Sequence, residues 1–218
     1  MKYPETSLAE LAINVPMASE LFRRHRLDFC CGGTVTLREA CEQKKLALDA
    51  IVNELSALAE KKMPESDLAP QELTGYIVQR YHDDLRKRIP ELISLAGKVT
   101  TVHAGHPECP KGLTELLTLI QEELFAHMMK EENVLFPMIN AGKGAFAVMP
   151  VKVMMMEHEH HGQQLEELHH VAHDFVPPLD ACASWRTLYK GLQALEAELM
   201  EHIHLENHVL FPKILTSK

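Results

Sequence analysis

The chain has 218 residues, 46% hydrophobic and 24% charged, enough apolar material for one full core plus a small appendage, which excludes a disordered chain. Its net charge of -9, from 22 basic and 31 acidic residues, excludes the clustered cations of a nucleic-acid surface. No apolar run reaches the ~18–20 residues of a membrane span, and the acidic start MKYPETSLAEL has no apolar leader, so a cytoplasmic protein without a membrane partner is expected.

Residues 1–62 read as a small helical domain. Leu8, Leu11 and Ala12 begin a helical pattern that Pro16 interrupts. Residues 17–27 resume it and lead into Asp28-Phe29-Cys30-Cys31-Gly32-Gly33, where the glycine pair marks a helix end and a turn. Residues 37–59 are helical again. The stretch KKMPESDLAPQ, residues 61–71, carries two prolines and reads as a linker. Five cysteines, at 30, 31, 41, 109 and 182, cannot all pair within one chain and show no C-x2-C spacing. A disulfide scaffold and a zinc ribbon are both disfavoured.

From 71 to 218 the pattern becomes four long helices. The first carries Val78, His82, Leu85, Ile89, Leu92 and Ala96, and the second Leu117, Ile120, Leu124, His127, Glu131 and Met138. The third carries Val151, Met154, His158, His161, Leu165 and Leu168, and the fourth Leu192, Leu195, Leu199, His202, Glu206 and Val209. All advance by threes and fours, the spacing of one helix face. Gly and Pro mark the short loops, so the expected fold is all-α: an up-down-up-down four-helix bundle behind a small helical domain.

An internal repeat organises the bundle. His127-x3-Glu131-x2-Val134-Leu135-Phe136-Pro137-x-Ile139 recurs 75 residues later as His202-x3-Glu206-x2-Val209-Leu210-Phe211-Pro212-x-Ile214, and His82 recurs 76 residues later as His158. A single histidine on an apolar stripe needs only a hydrogen-bond partner. Four histidines and two glutamates at one depth are different, because each buried carboxylate costs several kcal/mol unless a cation compensates it. At ~1.5 Å per residue the six positions reach a common level of an antiparallel bundle. Imidazole and carboxylate ligands without thiolate suit iron, manganese or zinc. Two glutamates shared between two histidine clusters suit a carboxylate-bridged pair of iron ions. A ferritin-like site built from Glu157-x-x-His160 and Glu201-x-x-His204 is the rival, but it falls outside the repeat.

These motifs, with LFRRHRLDFCCGG, RYHD at 80–83 and both copies of VLFP, resemble the hemerythrin-like di-iron proteins, and more closely the Repair of Iron Centres family. The resemblance spans essentially the whole chain. It implies a cytoplasmic protein with two oxo-bridged iron ions that restores iron–sulfur clusters damaged by nitric oxide or oxidants. Its partners would be the proteins carrying those clusters, with NO or O2 as small ligands; a homodimer is compatible with it. An O2/NO sensor or an NO-reducing enzyme of hemerythrin type is the alternative, and enzymatic turnover is left open. Oxygen-carrying hemerythrins place a second histidine four residues after the first on the third helix; here that position is Gly162. The resemblance offers His103 as the replacement, but His103 lies 21 residues past His82 and can reach the centre only if the first helix breaks after about Gly97.

The remaining expectations concern supporting groups. Glu123 and Glu198 precede His127 and His202 by one turn, and Glu157 adjoins His158; all three are expected beside the ligands rather than among them. His160, His161, His169, His170, His173 and His208 are expected on exposed or peripheral faces, His161 least securely. Cys30 and Cys31 are the thiol candidates for accepting iron or NO, with burial as small apolar residues as the alternative. Phe136-Pro137 and Phe211-Pro212 are expected to kink or stop their helices.

Overall fold

The computed structural model describes residues 2–15, 17–58 and 63–216. The helix break expected at Pro16, the boundary at 62 and the last two residues of the bundle lie outside them. Among the described residues there is helix and turn but no strand, only one isolated bridge between Ser7 and Thr36.

The small N-terminal part holds α1 (Leu8–Asn14), α2 (Ala18–Arg24), α3 (Leu37–Lys44) and α4 (Leu48–Ser56). These helices are too short to persist alone, so capping and packing hold them. Ser7 accepts from the Glu10 amide, and Thr36 with Glu39 forms a reciprocal capping box. Leu8, Leu11, Phe22, Phe29, Leu37 and Leu55 form a core of their own, separate from that of the bundle. Each such side chain contributes about 1.5–3 kcal/mol on burial.

The bundle begins with α5 (Pro70–Ile77), continuous through residues 78–82 with α6 (Asp83–Val102). It continues with α7 (Leu113–Lys130) and α8 (Phe136–Asn140), α9 (Val148–Val171), and α10 (Ala183–Leu205) and α11 (Phe211–Thr216). The long helix α6 packs on α7 and α10, α7 on α9, and α9 on α10, which closes the four-helix ring. Among the described residues no helix is long and apolar enough to cross a membrane.

Three of the four bundle helices contain one wider π turn: Val78–His82, Glu131–Leu135 and Glu206–Leu210. The last two sit directly before Phe136-Pro137 and Phe211-Pro212. A proline has no amide hydrogen and its ring clashes with the carbonyl four residues back. One turn of i→i+5 geometry absorbs that misfit. These two helices run on past their prolines without stopping, whereas Pro90 sits inside α6 with no wide turn. Nothing in the local sequence explains the wide turn at 78–82.

The glycines of the small domain are set by close approach. A Cβ on Gly33 would lie 2.2 Å from the Phe29 carbonyl oxygen, whereas one on Gly75, on the exposed side of α5, would meet nothing within 4 Å. Gly33→Ala is expected to cost about 1–3 kcal/mol, and Gly75→Ala to add about 0.5–1 kcal/mol by removing backbone freedom from the unfolded chain. Thermal unfolding of the two variants checks both signs.

Candidate metal centre

The sequence-predicted cluster meets inside the ring. The π turn ending at His82, the one starting at Glu131 and the one starting at Glu206 bring three helices to the level of His158 on α9. His82, His127, Glu131, His158, His202 and Glu206 are all at most 1% exposed. They form two overlapping groups, His82/His202 and His127/His158, each completed by both glutamates, with donor atoms within 4.8 Å of one another.

The distances define the arrangement. Glu131 directs one oxygen to His82 Nε2 at 3.3 Å and the other to His127 Nε2 at 3.5 Å. Glu206 directs one oxygen to His158 Nε2 and the other to His202 Nε2, both at 3.1 Å. Within each pair the nitrogens face each other, 3.3 Å apart for His82 and His202 and 3.1 Å for His127 and His158. Two donors each ~2.1 Å from one ion and a right angle apart would be ~3 Å from each other. The four carboxylate oxygens are buried and face imidazole nitrogens, yet none makes a hydrogen bond of ordinary geometry. Burial alone would raise Glu206, but His202 and His158 reverse that and hold it well below the usual carboxylate range. Two buried carboxylates, each reaching both imidazole pairs, make two overlapping groups that could each hold a metal ion.

The outward nitrogens of the imidazoles are also arranged. His82 Nδ1 donates to Glu132 at 2.6 Å, and Arg86 donates to the same oxygen at 2.7 Å. His127 Nδ1 donates to Glu157 at 2.8 Å, with Lys130 on its other oxygen. His158 Nδ1 donates to Asn207 at 2.8 Å. His202 Nδ1 has no partner, and its ring stacks on Tyr81 at 5.2 Å. Phe136 and Phe211, from the two VLFP copies, stack on His82 and His158 at 5.9 Å. Such partners fix which nitrogen faces inward and how each ring is turned.

Several expected residues stand elsewhere. His103 caps α6, which runs unbroken to Val102, so the chain does not turn back at Gly97. Its Nε2 meets Cys182 Sγ at 3.2 Å and its ring lies against Trp185; it is not brought to the cluster. Glu157 touches a ligand, but Glu123 and Glu198 do not. One turn further out, they reach away from the centre: Glu123 to His160 and Gln164, Glu198 to Arg80. His161 is a correction, since it is 2% exposed. It bonds Gln164 and meets the His127 ring edge-on, and burial above all lowers it to about 4. The rival set does not assemble, because Glu157 serves His127, His160 is exposed, and buried His204 donates to the Phe29 carbonyl. Glu132, Asn207 and Tyr81 were missed. The repeat could have found the first two, because 132 and 207 are repeat partners beside the bridging glutamates.

The cysteine loop lies against this centre. Asp28 accepts from the amides of Cys30, Cys31 and Gly32 and holds the turn. Cys31 Sγ donates to the His158 carbonyl at 3.2 Å. Cys30 is buried and Cys31 half-buried, beside an open cleft of about 440 Å³. Asp28, Cys30 and Cys31 form a third group able to hold a metal ion.

Residues 74–214 match the family profile of the hemerythrin HHE cation binding domain, and residues 4–59 that of a domain of unknown function, DUF542 (ScdA_N). The chain is 48% identical over 221 residues to the iron-sulfur cluster repair protein YtfE of Escherichia coli O1:K1 and to that of Escherichia fergusonii, and 47% identical to that of Escherichia coli O81. Each match covers 100% of this chain and of the relative.

Two outcomes are expected. Glu131→Ala or Glu206→Ala removes one of the two carboxylates joining the imidazole pairs, so either variant loses the coupled metal pair by iron count and Mössbauer spectrum. Cys182 sits at the start of α10, where the Trp185 amide first, then His103, lower its pKa. Iodoacetamide at neutral pH should therefore label it ahead of the buried Cys41 and Cys109, as peptide mass spectrometry would show.

Proposed function

The chain belongs to the hemerythrin HHE cation-binding family, and on that premise we propose that it repairs iron–sulfur clusters damaged by oxidative and nitrosative stress, using two iron ions held by six buried ligands. The observation that carries the reading is the pair of fully buried carboxylates, each reaching both imidazole pairs. His82 and His202 would hold one ion and His127 and His158 the other, with Glu131 and Glu206 each within reach of both. When bound, the two irons supply exchangeable metal and a redox centre for NO or O2. The names of the full-length relatives support cluster repair as the task.

The protein's own residues divide the work. Glu132 and Glu157 hold protons at His82 Nδ1 and His127 Nδ1 and keep the opposite nitrogens free for metal. Phe136, Phe211 and Tyr81 cover the rings and exclude water. The Cys30–Cys31 loop lies against the His158 backbone, and its thiols are the groups nearest at hand to accept iron or NO equivalents.

An aconitase-type reactivation assay, run beside iron quantification, tests the proposal. Wild-type protein should restore activity to an enzyme with a damaged cluster, and Glu206→Ala should not. Cys30→Ser/Cys31→Ser protein should keep its iron and its absorption spectrum but reactivate more slowly. Reactivation by the Glu206→Ala protein at the wild-type rate would contradict the role of the metal centre. Iron loss from the double cysteine variant would put the thiols among the ligands.

A further inference from the structure

The two halves of the bundle repeat each other, and they differ most where the cysteine loop docks. In the first half His82 Nδ1 bonds Glu132, and Arg86 neutralises that carboxylate. The repeat partners of these three residues are His158, Asn207 and Gly162. An amide thus replaces the carboxylate, and the arginine is gone. The vacated volume is filled from the other domain: a Cβ on Gly162 would lie 3.3 Å from Cys31 Sγ. Cys31 Sγ donates to the His158 carbonyl, and Asn207 Nδ2 donates to the Cys30 carbonyl at 3.1 Å.

The chemistry of Asn207 is specific to this seat. A carboxylate only accepts, so a glutamate or aspartate here could hold His158 but not the loop. An amide does both. Because a carbonyl can only accept, Asn207 Nδ2 faces Cys30, which turns Oδ1 to His158. That fixes the proton on His158 Nδ1 and leaves Nε2 free toward the metal cluster. His208 also donates to the Cys30 carbonyl, at 2.8 Å, but touches no ligand.

The geometry points to Asn207 as a positioning residue that couples docking of the Cys30–Cys31 loop to the His127–His158 half of the metal centre, so that lifting the loop loosens the ion held there. This rests on the metal-centre reading of the preceding subsection and names the half from which metal leaves. Groups outside the ligand set commonly carry 10–100-fold in metal affinity, and linkage requires the metal to favour docking by the same factor that docking favours the metal.

Labelling of Cys30 and Cys31 by iodoacetamide, read by peptide mass spectrometry in metal-free and Fe(II)-loaded protein, tests the coupling. In the wild type, Fe(II) should slow labelling of Cys31 about 10-fold. In Asn207→Asp and Asn207→Ala, checked as folded by circular dichroism, that protection should disappear. Asn207→Ala should also release Fe(II) to a chelator about 10-fold faster. His208→Phe weakens the loop without touching His158, so labelling should rise in both forms while Fe(II) protection persists. Protection unchanged in both Asn207 variants would overturn the coupling, since Fe(II) would then shield the thiols by another route. Absence of protection in the wild type would overturn it as well. Protein that takes up no Fe(II) contradicts the metal centre itself, an outcome the iron count separates from the other two.

Discussion

Two carboxylates are buried at the middle of this bundle, facing four imidazoles and making no hydrogen bond of ordinary geometry. Water would normally solvate such groups, and removing it costs several kcal/mol for each charge. Cations placed between the carboxylates and the facing imidazoles would offset that cost at all four oxygens. The surrounding structure serves to bring these groups together. Four long helices are needed because no single helix can present six such side chains at one depth. Two helical hairpins of the same pattern do so with one motif used twice.

The VLFP sequence serves the centre in two ways. Its proline follows the π turn that begins at Glu131 or Glu206, and its phenylalanine stacks on an imidazole from the other helix of the same hairpin. The loss of repeat symmetry is equally informative. Where Arg86 and Glu132 support His82, Gly162 and Asn207 make room and supply a hydrogen bond for the loop of the small domain. The N-terminal domain is thus seated on the ligand-bearing helices: the Phe29 and Cys30 carbonyls are held by His204, Asn207 and His208.

Periodicity and repetition made the helices and the converging set legible in the sequence, because a helix face and a repeated motif are both local patterns. Reach was harder to read. His103 depended on a break in α6 after Gly97, and the helix runs on to Val102. Glu123 and Glu198 share the ligand face by spacing, yet side-chain length lets them bond outward to His160 and Arg80. His161 looked peripheral because the His127 ring it covers comes against it only when α7 and α9 are side by side. Gly162 read as a missing ligand; in three dimensions it is the space that admits Cys31.

The central claim is that Glu131 and Glu206 join two metal ions in one centre. Iron quantification with Mössbauer spectroscopy on protein expressed with enriched iron and purified without added metal tests it most directly. The account predicts about two irons per chain in a single spin-coupled pair, with the coupling lost when either glutamate is replaced by alanine. One iron per chain, two magnetically independent irons, or zinc in a four-coordinate site would contradict it.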